Sequence, residues 1–286
     1  MRPEIQKAVE LLREKRPESL DQALALLQNT VFSFSMKVCG HREDAEDTMQ
    51  ETLLQAAPQL PNFDSPEALA VWLYKVAKTR CLMSRRRSKF APKPHLSLDE
   101  LLPDRAELEA LTTAAERSPF HQLLRKENSE ELRRAIDQIP PDYRMVLVLH
   151  DMEELSTREI ARITGLREGT IRVRLHRARV YLRNQLARPS DGKPRARRAA
   201  PSRQCRKLFS VLSGYVDRDL EPAMRQVVEE HLRGCRPCEA FLASLEETIA
   251  RCRRFCPEEK VRMGEELRAS VMRACGLPRP ASRSGK

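Results

Sequence analysis

The sequence predicts an all-α chain: two helical domains joined by a flexible linker, the second a helix-turn-helix, followed by a small C-terminal helical domain. Three observations carry that expectation. The chain has only nine glycines in 286 residues, and no long run alternates β-branched with polar residues, so the usual marks of strands and hairpins are missing. Apolar residues recur instead at three- and four-residue intervals, the period of a helix buried on one side. Between the periodic blocks, proline and arginine collect in stretches that have no face to bury.

Composition narrows the partners. Lysine and arginine total 52 against 41 acidic residues, a formal net charge of +11. Such a surface favours a polyanion, because cations that neutralise phosphates release condensed counterions. Charge alone does not separate DNA from RNA or anionic lipid. No run approaches the roughly 18 apolar residues of a membrane span, and the N-terminus MRPEIQKAVELLREKRPE lacks a signal-peptide core. The expectation is a cytoplasmic protein without membrane contact. In that reducing compartment the eight cysteines suit metal binding or thiol chemistry better than a disulfide framework.

Residues 1–19 form an N-terminal extension with a helix near Glu4 to Arg16. Residues 20–87 form the first block, with helices in AEDTMQETLLQAAPQL and EALAVWLYKVAKTRCLMSRRR and a turn at PNFDSP. Residues 88–127 lose periodicity and gather Pro92, Pro94, Pro103 and Pro119, so a connector with at most one short helix is expected. Residues 128–186 form the second block. A basic flexible linker, 187–204, leads to the third block, 205–276, and a disordered tail, 277–286, closes the chain.

The second block holds the strongest local signal, STREIARITGLREGTIRVRLHRARVYLR from Ser156 to Arg183. Ser156 and Glu159 can form a capping box, and Gly165 suits a turn that needs a positive φ. Ile160, Ile163 and Leu166, then Ile171, Val173, Leu175, Ala178 and Leu182, keep helical spacing on either side. Arg172, Arg174, His176, Arg177, Arg179 and Arg183 make the second helix strongly basic, with Arg167 and Thr170 at its N-terminal end. A basic helix alone is more often a solvated face. Joined to a cap and a glycine turn it has the layout of a helix-turn-helix whose second helix enters the major groove. Arg172, Arg174, His176 and Arg177 are expected on or near its exposed side, where arginine can pair bidentately with guanine or hold phosphate.

Together the first two blocks resemble the extracytoplasmic-function class of bacterial sigma factors over roughly residues 20 to 186. In the second block the resemblance rests on IPPDYR, STREIA and GTIRVRLHRAR, which look like sigma region 4, the reader of the −35 element. In the first it rests on GHREDAEDTMQETLLQA and NFDSPEALAVWLYKVAK, which look like sigma region 2, the reader of the −10 element. The resemblance implies core RNA polymerase and promoter DNA as partners and no enzymatic activity. It also implies that Asp44, Asp47, Gln50 and Glu51 face the polymerase β′ clamp. Asn62, Phe63, Asp64 and Ser65 would then hold an extruded base, with Lys75, Lys78, Arg80 and Arg85 to Arg87 supplying charge to the single strand. Phe63 could equally be core. Thr79 and Met83 stand where the family usually has asparagine and aspartate, which bears on the −10 preference. A helix-turn-helix regulator acting without core polymerase is the competing reading, opposed by the acidic DAEDTMQE helix and the WLYK segment.

The third block carries HxxxCxxC, as His231, Cys235 and Cys238, with Cys205 26 residues before the histidine. Ligands at this spacing converge if a helix ends at the first cysteine, which Gly234 and Pro237 favour. Three thiolates and one imidazole make a closed tetrahedral set suited to Zn²⁺ and leave no open position for hydrolysis. CRKL, LSGYVDRDL and HLRGCRPC resemble the zinc-binding anti-sigma domain over about residues 205 to 245, usually a separate protein that blocks its sigma partner. Fused here, it would act at an effective concentration on the order of millimolar through an intramolecular anti-sigma contact, or it stabilises the chain without inhibiting it. Zinc is then structural, or redox-linked with Cys252, Cys256 and Cys275 as resolving thiols. Cys39 and Cys81 are most simply core residues.

Overall fold

In a computed structural model the described residues are 2–84, 96–103, 107–108, 129–187, 202–255, 261 and 263–275, and no strand occurs among them. Arg85 to Arg87, Cys256, most of both expected linkers and the tail 277–286 lie outside the described residues. The helices are α1 (Pro3–Arg13), α2 (Pro17–Cys39), α3 (Arg42–Ala56), α4 (Pro66–Ser84), α5 (Leu98–Leu101), α6 (Ser129–Asp137), α7 (Pro141–Leu147), α8 (Thr157–Thr164), α9 (Glu168–Ala187), α10 (Arg203–Phe209), α11 (Leu212–Val216), α12 (Pro222–Gly234), α13 (Arg236–Arg254) and α14 (Glu265–Ala274). A 3₁₀ turn at Leu60–Asn62 precedes α4, and a π turn at Val148–Met152 follows α7.

Contacts group these helices into two compact units that interleave along the chain. The first comprises Met1–Pro92, Glu153–Leu166 and Cys256–Lys286, and the second Lys93–Met152 and Arg167–Phe255. The grouping differs from three contiguous blocks because it follows long-range packing, which local periodicity does not report.

In the first unit, prolines open α1, α2 and α4, where the missing N–H is one that a helix start leaves unbonded anyway. Helix α2 stops at Gly40, whose φ of 76° lets its N–H return to the Met36 carbonyl at 2.9 Å. Leu24, Leu27, Phe34, Leu53 and Leu73 are buried between α2, α3 and α4, with the Phe34 and Tyr74 rings 4.8 Å apart. Helix α8 packs on α4 in this unit. Its capping box is complete: the Ser156 hydroxyl accepts from Glu159 N at 3.2 Å, and the Glu159 carboxylate accepts from Ser156 N at 2.8 Å. Helix α14 packs on α3, and the segment before it is tied to α2, where Gln28 accepts from Met263 N at 3.1 Å.

The polar centre of the first unit is Glu153, which is fully buried. It accepts from Lys37 Nζ at 2.9 Å, Tyr74 OH at 2.7 Å and Arg2 Nη2 at 3.2 Å. Lys37 is fully enclosed as well, so each charge depends on the other. Burial beside this carboxylate pushes the Tyr74 phenol well up. Burial alone would pull Arg2 down, but Glu153 outweighs it and the guanidinium rises.

In the second unit, α9 is central, burying Ile171, Leu175, Ala178 and Leu182. Helices α6, α7, α11 and α13 pack around it, and the Phe209 and Phe241 rings meet edge to face at 4.8 Å. Arg144 is nearly buried and donates through Nε to the Ile139 carbonyl at 3.2 Å, closing the turn between α6 and α7.

Glu153→Gln removes the buried carboxylate that Lys37, Arg2 and Tyr74 share, and it is expected to cost about 3 to 5 kcal/mol. Urea unfolding of the variant against the parent measures this; a loss below about 1 kcal/mol would show that water reaches the cluster.

Candidate nucleic-acid interface and metal centre

The third block places four metal-binding side chains together. Ser202 caps α10 by accepting from Cys205 N at 3.1 Å, which sets Cys205 in the first turn. Helix α12 carries His231 and ends at Gly234; Cys235 breaks the helical path with φ −133° and ψ 86°, and α13 then brings Cys238 round in its first turn. The interruption between Gly234 and Arg236 is what lets one histidine and two cysteines point at one spot.

All four donor atoms lie within 4.8 Å of one another. Cys205 Sγ is 3.7 Å from His231 Nε2 and 3.9 Å from Cys235 Sγ, and His231 Nε2 is 3.4 Å from Cys238 Sγ. Zn–S and Zn–N bonds of about 2.3 and 2.05 Å at tetrahedral angles require edges of about 3.8 and 3.6 Å, which these separations match. Burial, then the neighbouring Cys235 and Cys205, pushes the Cys238 thiol well up. The set suits zinc.

The side chains expected to meet polymerase and the −10 strand fall on α3, α4 and the turn between them. Asp47 and Gln50 are exposed on α3, while Asp44 and Glu51 are half-buried, the latter paired with Arg80. Asn62 is exposed and Phe63 half-buried, its ring 6.1 Å from Trp72. Ser65 accepts from Ala68 N at 3.3 Å and so caps α4. Gln55, Trp72, Lys75, Val76, Thr79 and Arg80 line a cleft of about 400 Å³, with Lys75 exposed. Lys78 is turned elsewhere: its Nζ donates to the Ile163 carbonyl at the end of α8, 2.9 Å away. Partial burial and then Lys75 pull it down.

Helix α8 belongs to the first unit and α9 to the second, joined through Gly165 (φ 76°) and Leu166. At the start of α9, Arg167 and Thr170 are exposed. Arg174 is half-buried, 3.4 Å from Asp142 and over the Tyr143 ring, and Arg177 is half-buried. Arg172 is exposed but ion-paired, its Nε 2.5 Å from Asp219. The expected exposure of His176 is corrected: the ring is buried, and Nδ1 lies 2.9 Å from Ser213 Oγ. The physical reason is that α11 and its flanking residues cover this part of α9.

Two residues that sequence reasoning left as part of a charge run prove decisive. Arg179 is fully buried, donating to Asp151 through Nε at 2.8 Å and bidentately to Asp217 at 2.7 and 2.9 Å. Arg183 lies over the Phe241 ring at 4.6 Å and donates to Ser244 at 3.0 Å. Arg172, His176, Arg179 and Arg183 step by four, three and four residues, one stripe of a helix. Their partners Asp219, Ser213, Asp217 and Ser244 all come from the third block. The acids in LSGYVDRDL were the available signal, a complement to that stripe.

Comparison with known proteins finds three separate matches along the chain. Residues 24–90 match the family described as "Sigma-70 region 2", 129–182 "Sigma-70, region 4", and 205–238 "Putative zinc-finger". The chain is similar to the "ECF RNA polymerase sigma factor SigE" of Mycolicibacterium smegmatis, 30% identical over 60% of this chain and 63% of that protein. It is 28% identical to the "ECF RNA polymerase sigma factor SigW" of Bacillus subtilis, over 64% of this chain and 96% of the relative. The "RNA polymerase sigma factor YlaC" of the same organism is 26% identical over 62% and 97%.

Cys235→Ala is expected to lower zinc affinity by more than the roughly 100-fold typical of losing an outer partner. Metal content after dialysis against a chelator reads this; full retention would remove Cys235 from the donor set.

Burial, followed by the charges of Arg179 and Arg177, pushes His176 down to about 4. Its neutral form therefore favours the packed state, fully above about pH 6.5 and progressively less as pH falls towards 4, where the unpacked ring takes up a proton that the packed ring refuses. The thermal midpoint of the parent is expected to fall more steeply between pH 6.5 and 4 than that of His176→Asn. Parallel profiles would exclude a buried histidine.

Proposed function

Because the chain belongs to the extracytoplasmic-function sigma factors and carries a fused C-terminal zinc-finger module, we propose that it directs RNA polymerase to its promoters under the control of that module. In this reading α3 meets the polymerase clamp through Asp44, Asp47, Gln50 and Glu51. Asn62, Phe63 and Ser65 receive an extruded base, with Lys75 holding the strand beside the Trp72 cleft, whereas Lys78, expected in the same role, is engaged at the Ile163 carbonyl instead. Helix α9 reads the upstream element through Arg167, Thr170, Arg172, Arg174, His176 and Arg177. The chain supplies recognition and no catalysis of its own, and it works where polymerase is, in the cytoplasm. No helix among the described residues is long and apolar enough to cross a membrane.

Zinc is structural here, since four protein ligands complete its shell and none is left for a substrate. It holds the module together, and the module holds α9. The observation that carries the reading is the use of Arg172 and His176: both belong to the expected base-reading set, and both are spent on Asp219 and Ser213 of the third block. A helix so occupied does not enter a major groove. Release of the module exposes it.

Run-off transcription with purified core polymerase tests both parts. Asp217→Asn removes one side of the Arg179 pairing, and the promoter output of the zinc-loaded chain is expected to rise roughly tenfold, about 1.4 kcal/mol of weakened docking. Unchanged output with zinc retained would overturn the control by the module. Failure of both proteins to bind core polymerase would overturn the sigma reading itself.

A further inference from the structure

Cys39 and Cys81 lie on different helices of the first unit, far from the zinc donors in sequence, and nothing in promoter recognition uses them. Cys39 is the last residue of α2, and Cys81 lies near the end of α4. Both are almost completely buried, at 2% and 1% exposure. Their sulfurs are 2.7 Å apart, and Thr48 Oγ1 of α3 is 3.9 Å from Cys81 Sγ. A disulfide bond is about 2.05 Å long, so a small shift of either side chain brings these sulfurs to bonding distance. Small core residues placed only to fill space would not need that approach.

We propose that Cys39 and Cys81 are a redox modification site: a dithiol that a small peroxide converts into a reversible disulfide joining α2 to α4. The thiolate of one cysteine attacks a peroxide oxygen, the O–O bond breaks, and the departing hydroxide takes up the proton the thiol had released, giving a sulfenic acid and one water. The second thiol then attacks that sulfur, the S–O bond breaks, and the hydroxyl leaves as a second water with the thiol proton. Two thiols are oxidised by two electrons and one hydrogen peroxide is reduced to two waters. A dithiol reductant reverses the bond by exchange.

Burial selects the oxidant. Large disulfide reagents are excluded at 1–2% exposure, whereas an uncharged peroxide enters during local opening. Cys39 is the last residue of α2, next to the Gly40 cap, and helix ends open more readily than helix interiors. The bond would enclose a 42-residue span containing all of α3 and most of α4. It would therefore tie the helix of Asp47 and Gln50 and the helix of Lys75 into one covalent unit. The inference does not depend on how the third block acts.

The test uses the full zinc-loaded chain treated with hydrogen peroxide, blocked with an alkylating agent under denaturing conditions and digested with trypsin. The expected product is Val38–Arg42 joined to Cys81–Arg85, two hydrogens lighter than the separate peptides and lost on reduction. The thermal midpoint of the oxidised chain is expected to rise by about 5 °C or more, and Cys39→Ala and Cys81→Ala are each expected to abolish the rise. Recovery of both cysteines alkylated after peroxide treatment would overturn the proposal, whether or not the zinc cysteines have been oxidised. That readout is made on the parent chain and holds even where a variant fails to fold.

Discussion

A fully buried arginine is the constraint on which the second unit depends. The Arg179 guanidinium stays charged under all ordinary conditions, so removing it from water obliges the fold to bring carboxylates to it. Asp151 comes from the π turn after α7 and Asp217 from the segment after α11, and each meets it with short, charge-assisted bonds. Burial alone would raise Asp151, yet Arg179 overrides it and holds the carboxyl well below the usual range. Burial alone would lower Arg179, and the two acids override that too. With Arg179 fixed, the rotation of α9 about its axis is fixed, and Arg172, His176 and Arg183 follow onto the same side.

Two residues further along the chain, the first unit solves the same problem with the opposite sign. Glu153 is the buried acid there, and Lys37, Arg2 and Tyr74 converge on it from α2, the start of α1 and α4. The unit boundary falls between Met152 and Glu153. Asp151 and Glu153 thus serve different cores from nearly adjacent positions, a specification that hydrophobic packing by itself does not provide. A misplaced apolar side chain costs a cavity, whereas a misplaced buried charge costs several kcal/mol, about 3 to 5, and leaves its partner stranded.

Features governed by neighbours in sequence were legible beforehand. Ser156 and Glu159 cap α8, Gly165 takes a positive φ, and His231, Cys235 and Cys238 meet because a helix breaks between them; each depends on a few consecutive residues. Helical class followed from periodicity alone. The role of Arg179 did not, because one arginine in a basic run looks like the next until the covering element is known. His176 was misplaced for the same reason: the buried side of a helix is set by what packs on it, and Ser213 lies 37 residues away. The attachment of the last helix was hidden more deeply, since Gln28 meets Met263 across 235 positions and neither residue carries a pattern.

The metal donors and the basic stripe are linked through the short segment between them. Helix α11 has five residues, and of these only Leu212 and Ser213 are buried, so it has little core of its own to hold it. Its position is inherited from its two ends: α10, carrying Cys205, and α12, carrying His231. Those residues are 26 apart, and their donor atoms are 3.7 Å from each other. Closing that gap closes the loop that presents Ser213, Asp217 and Asp219 to α9. The packing that gathers these four donors thereby also keeps three polar partners in register with a stripe on a helix to which none of the donors belongs. Anything that loosens the donor set therefore also loosens the hold on Arg172, His176 and Arg179.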